Sequence, residues 1–205
     1  MKLLFFDTET TGLPNRMDPA CGRTHSANGQ PRPVQIGWII TDEKGTVLSR
    51  KNLFIRPDDF TMPEAVSQFN GIYNEDLKEK GLDEHDVLKT FVRDLHDCDM
   101  EVGHNVSFDR SVIGSRLEEL GYTAERDFLK SQPAMDTMIA SKEWFNHIRG
   151  KFPKLTELYR KLFGRDFDGA HDAMADITAT MNCFFELIRI GVIHLPGKET
   201  DPVLF

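Results

Sequence analysis

The chain has 205 residues, 40% apolar and 28% charged, with a net charge of −8. That size suits one domain, or one with an insertion, with room for a full core. No apolar run approaches the roughly 20 residues of a bilayer span, so no membrane partner is expected. Leu3-Leu4-Phe5-Phe6 before Asp7 is too short for a secretory signal, and a cytoplasmic location is the expectation. Cys21, Cys98 and Cys183 are odd in number and lack a C-x-x-C pair, which argues against a disulfide framework or a zinc site.

Leu3 to Asp7 reads as a short buried strand. Residues 14–33, rich in Pro, Gly, Asn and Arg, read as a long loop. Val34 to Thr41 and Val47 to Ile55 read as strands joined by the turn Asp42-Glu43-Lys44-Gly45, an antiparallel hairpin. Val87, Phe91 and Leu95 make the apolar stripe of a helix over Asp83 to Asp97. Glu101 to His104 suits a short central strand, followed by a helix from Ser107 to Leu120 that Gly121 ends. Leu155, Leu158, Tyr159 and Leu162 mark a helix stopping before Gly164; Ile177, Met181, Phe184 and Ile188 mark another stopping before Gly191. Residues 1–191 then form one domain and 192–205 an irregular tail. Strands first, then helices alternating with short strands, predict an α/β fold with a sheet of mixed direction.

Three acidic motifs stand out. Strand alternation puts Asp7 and Glu9 on one face, with Thr8 on the other. Two such carboxylates repel each other, and a hard divalent cation resolves the repulsion. Asp109 falls in the first turn of a helix, which the helix dipole alone would favour. Asn105 precedes that helix, as a cap or a polar site residue. His171 and Asp176 are five apart, roughly 140° around a continuous helix, so they converge only if the helix begins near Asp172. Asp172 is a rival carboxylate, with a simpler explanation as a helix amino-terminal residue.

In this order, Asp7-Thr8-Glu9, His104-Asn105-Val106-Ser107-Phe108-Asp109 and His171 to Asp176 resemble the DnaQ-like 3′-to-5′ exonucleases, the histidine-bearing (DEDDh) branch of the DEDD superfamily. The sister branch has tyrosine four before the last aspartate, where this chain has Asp172. The likeness runs over most of residues 2–190, including Met135-Asp136-Thr137 and Lys154 to Tyr159.

The resemblance implies a ribonuclease H-like fold and the release of nucleoside 5′-monophosphates from DNA 3′ ends, single-stranded or frayed. It implies a metal site of Asp7, Glu9, Asp109 and Asp176 holding two ions, with His171 as general base. Oxygen ligands favour Mg²⁺ or Mn²⁺ over zinc. Thr10, Thr11, Gly12 and Leu13 would cradle the terminal nucleotide. Asn70 stands where the family's H-G-I segment has histidine, among the sugar-side contacts. Arg16, Arg23 and Arg32, on the loop after the first two ligands, could meet phosphates. The net charge argues against strong non-specific duplex binding, but metals at a carboxylate site can meet phosphate instead.

An exoribonuclease is the alternative, because the same five residues serve both substrates; a binding module without turnover is a third reading. Any proofreading would need a separate polymerase. Asp201-Pro202-Val203-Leu204-Phe205 resembles the Leu-Phe-ending peptides that bind bacterial sliding clamps.

Overall fold

A computed structural model describes residues 1–16, 19–146, 150–169 and 172–196. Five strands form one mixed sheet: β1 (Lys2–Thr10), β2 (Pro33–Asp42), β3 (Val47–Phe54), β4 (Met100–Gly103) and β5 (Ala134–Asp136), in the order β3-β2-β1-β4-β5. β1 runs antiparallel to β2, and β2 to β3, as the turn at Asp42 to Gly45 requires. β4 lies parallel to β1, and β5 parallel to β4. Between β3 and β4 come α1 (Glu64–Asn70), α2 (Asn74–Lys80) and α3 (Glu84–His96). α4 (Val106–Glu119) and α5 (Thr123–Ser131) join β4 to β5. α6 (Thr137–Ala140), α7 (Lys142–Phe145), α8 (Leu155–Phe163) and α9 (Ala173–Arg189) follow.

The two-residue period of β1 sorts its side chains between two cores. Leu3 and Phe5 pack with Val102, Leu158, Ile177 and Phe184, beneath α8 and α9. Leu4 and Phe6 pack on the opposite face with Trp38, Phe91 and Ile113, beneath α3 and α4. Gly37 of β2, which pairs with Asp7, has the most consequential packing. A Cβ there would lie 2.7 Å from Ile177 Cδ1 and 3.4 Å from the Ala173 Cβ, so its absence lets α9 approach the sheet beside Asp7.

Two segments are more ordered than their composition predicts. The loop after β1 folds back on the strand end. The Thr11 N–H donates to the Arg32 carbonyl at 3.0 Å, His25 bridges to Pro31, and Thr24, His25, Ser26 and Arg32 are buried. Beyond α9, Ile193 and Leu195 pack into the α8/α9 core. β5 is too short to show a period, and α1 and α2 are brief helices that the chain pattern does not announce.

Candidate active site

The carboxylates gather where the parallel strands end, the usual place for chemistry in such sheets. β1 stays extended through Thr10, so Asp7 and Glu9 project from one face and Thr8 from the other, as the alternation predicts. α9 begins where the sequence suggests: Asp172 caps it, its Oδ1 accepting the Ala175 N–H at 3.0 Å. Asp176, in the first turn, is thereby carried over the sheet. Asp7, Glu9 and Asp176 each offer a carboxylate oxygen, all within 4.8 Å of one another.

Asp109 arrives from the other side, on the first turn of α4, and is buried. Thr8 fixes it twice: the Thr8 N–H and the Thr8 Oγ1 hydroxyl both donate to Asp109 Oδ1, at 2.9 and 2.6 Å. Asp109 lines a cleft of about 560 Å³ with Asp7, Glu9 and Asp176, although it stands outside the tight three-carboxylate group.

Burial pushes all three strand and α4 acids up. The Asp7 carboxyl lies well above its ordinary range, from desolvation first and then the charges of Asp109, Glu9, Asp176 and Asp172. Glu9 is raised to about 8 by burial, partly opposed by a hydrogen bond from Asn70. Asp109 is raised to about 7 by burial, opposed by its two bonds from Thr8. Oxygen-only donors, mutual repulsion and burial together fit a hard divalent cation, which would relieve the last two.

A second hollow, about 640 Å³, adjoins the cleft across Glu9 and Phe108. Thr10, Thr11, Gly12 and Leu13 line one wall, and Val66, Phe69 and Asn70 the other. Leu13 is 54% exposed and Phe69 66% exposed, so apolar surface faces the opening. His25 Nε2 lies 2.9 Å from the Leu13 carbonyl and anchors that wall, a role nothing in the local sequence signals. The hydrogen bond from Asn70 ties α1 to Glu9.

Asn105 lines the cleft but does not cap α4 through its side chain; it sits in the left-handed region at φ 68°. Its N–H donates instead to Asp136 Oδ1 at 2.9 Å, which also receives the Met138 N–H. His104 lines the cleft with its ring 3.0 Å from both Thr137 Oγ1 and the Pro153 carbonyl. Burial holds its pKa below the ordinary imidazole value. The adjoining Met135-Asp136-Thr137 resemblance was the available signal for this corner.

The expectation for the loop arginines needs correction. Arg32 turns inward, paired with Asp59 and, at 3.2 Å, with Glu84, because its guanidinium finds a buried carboxylate there. Arg23 lies 3.6 Å from Asp59, whereas Arg16 does line the second hollow. His171 and the clamp-like ending Asp201 to Phe205 lie outside the described residues.

A mixed sheet with helices on both faces and acids at its carboxyl edge defines a ribonuclease H-like fold. The exonuclease family model, RNase_T, matches residues 4–184, and the chain belongs to that family as a DnaQ-like exonuclease domain. It is 26% identical over 190 residues to a PolC-type DNA polymerase III of Caldanaerobacter subterraneus subsp. tengcongensis, covering 92% of this chain and 12% of that one. A structure of exonuclease I superposes with a TM-score of 0.73 at 24% identity, covering 92% of this chain and 41% of the other. Exonuclease I of E. coli in complex with a dT13 oligonucleotide gives 0.68 at 23%, with 92% and 41% covered. The chain thus spans well under half the length of the proteins it matches.

Proposed function

We propose that this chain is a 3′-to-5′ exonuclease that hydrolyses the last phosphodiester of a DNA 3′ end and releases a nucleoside 5′-monophosphate. The observation that carries the reading is the convergence of Asp7, Glu9 and Asp176 beside Asp109, at the edge of a hollow of nucleotide size.

Asp7, Glu9, Asp109 and Asp176 are the residues to hold two Mg²⁺ or Mn²⁺ ions, which when bound supply Lewis-acid stabilisation of phosphate charge and a more acidic water. Thr8 holds Asp109 in place through two donors. Thr10 to Leu13 and Phe69 enclose the terminal nucleoside, with the Leu13 side chain against its base. Asn70 steadies Glu9 at the boundary between the two compartments. His171 takes the proton of the attacking water, a role that suits imidazole, whose unperturbed pKa is near 6.5.

Single-stranded ends are the preferred form, a reading supported by the oligonucleotide bound to exonuclease I. Similarity to a PolC-type polymerase supports work beside a polymerase. No described helix is long and apolar enough to cross a membrane.

The test uses 5′-labelled single-stranded DNA and RNA of one sequence, with Mg²⁺ or chelator, beside Asp7→Ala. Ladders shortening from the 3′ end of DNA, lost with chelator and variant, are the expected result. Preferential decay of RNA moves the reading to an exoribonuclease. No metal-dependent cleavage of either overturns it.

A further inference from the structure

The catalytic cleft meets the hollow for the terminal nucleoside along Thr8, Glu9 and Phe108, which line both. Met138, Phe152, Lys154 and Leu155 line the cleft and not the hollow. Phe152 is 46% exposed there, with Lys142 Nζ 4.5 Å from its ring centroid. Lys154 is exposed at the same rim and starts α8 through its backbone, its N–H donating to Glu157 Oε2 at 2.9 Å. The rim is fixed in place: Pro153 between these two residues is buried, and its carbonyl is held by His104 Nε2 at 3.0 Å. On a chain of net charge −8, two lysines thus stand with an exposed aromatic ring at the rim of the acidic cleft.

We propose that Phe152, Lys154 and Lys142 form a subsite for the nucleotide on the 5′ side of the scissile bond in a single-stranded nucleic acid. The inference rests on the exonuclease reading. With the terminal nucleoside in the hollow and its phosphate at the carboxylates, the rest of the strand leaves along the part of the cleft that the hollow does not share. The departing base stacks on Phe152, a contact every base can make, and the adjoining phosphate meets Lys154. This subsite grips the strand without reading its sequence, and it gives the enzyme a preference for a polymer over a lone nucleotide ester.

Two substrates separate the compartments: a single-stranded oligonucleotide, and thymidine 5′-monophosphate p-nitrophenyl ester, which has no nucleotide on the 5′ side. In Phe152→Ala and Lys154→Ala, kcat/KM for the oligonucleotide should fall about tenfold further than for the ester. Phe152→Trp and Lys154→Arg should recover most of the loss. Equal falls on the two substrates, or no fall on either, overturn the subsite. If the wild-type protein cleaves neither substrate, the exonuclease reading fails, and the subsite is judged by binding. Anisotropy of a labelled dT oligonucleotide on Asp7→Ala should then weaken about tenfold when Phe152→Ala is added. Unchanged anisotropy overturns the subsite as well.

Discussion

Two groups of carboxylates in this molecule, each with a buried member, Glu84 in one and Asp109 in the other, are treated in opposite ways. Around Glu84, the chain supplies its own cations: Arg116 Nε and Nη2 donate to the two Glu84 oxygens at 2.8 and 2.5 Å, and Arg32 adds a third contact at 3.2 Å. Arg116 also pairs with Glu119, and Arg32 with Asp59. At the edge of the sheet, the principal charges acting on Asp7 are those of four other carboxylates, each raising its pKa. The first arrangement joins the 14–33 loop to α3 and α4, and its cost of desolvation is offset by bidentate pairing. At Asp7 the neighbouring carboxylates repel, and a bound cation would relieve them. Acid count therefore does not locate the site; the convergence of mutually repelling carboxylates does.

The contrast can be broken at either cluster. Asp7→Asn should reduce turnover to background in the ladder assay, the largest effect. In chelator it should melt higher than the wild type, because one repelling charge is gone; a lower melting temperature would mean that Asp7 is compensated within the chain. Arg116→Ala should do the reverse, costing about 3 kcal/mol by urea unfolding, the lower end for a broken buried pair because Arg32 still reaches Glu84. A loss below 1 kcal/mol would show this network to be as weak as an exposed one.

Subtler changes sharpen the same comparison. Thr8→Val removes the hydroxyl donor to Asp109 but keeps the N–H, so activity and metal affinity should drop about tenfold, with Thr8→Ser restoring both. Equal activity in Thr8→Val would remove Thr8 from the site's support. Glu101 is an intermediate case: fully buried on β4, with Arg110 Nε at 3.4 Å but no hydrogen bond to either oxygen. Burial raises it to about 8 from an ordinary 4.5. A raised carboxyl contributes stability that is present at pH below 4.5 and lost as pH rises through about 8. Glu101→Gln should therefore gain melting temperature relative to the wild type between pH 5 and 9, the smallest of these effects. Parallel pH profiles would exclude Glu101 as a source of the dependence.

The parts of this molecule legible in the sequence are those set by local period. Alternation along β1 placed Asp7 and Glu9 together and Thr8 apart, and the signals at Asp172 and Gly191 bounded α9 closely. The outer helix α3 showed its stripe because one face is solvated. What stayed hidden depends on distant partners. Arg32 read as a loop cation able to meet phosphate because Glu84 lies 52 residues away. The Thr8–Asp109 contact spans 101 residues. His25 and His104 carry no pattern of their own; only the folded loop and the Pro153 segment give them their acceptors. Gly37 looked like an unremarkable strand glycine until α9 lay across it. The second hollow was foreshadowed by Thr10 to Leu13 but needed Phe69 and Val66 from a helix that the pattern does not show.

The claim that the edge cluster waits for an external cation is tested most directly by titrating Mn²⁺ into the protein near pH 7.5 calorimetrically, in buffers of different ionisation enthalpy. With Glu9 raised to about 8 and Asp109 to about 7, binding should be saturable and should release protons, so the observed heat should change with the buffer. Asp7→Asn should lose most of that binding. Buffer-independent heat, or equal binding by Asp7→Asn, would contradict the account.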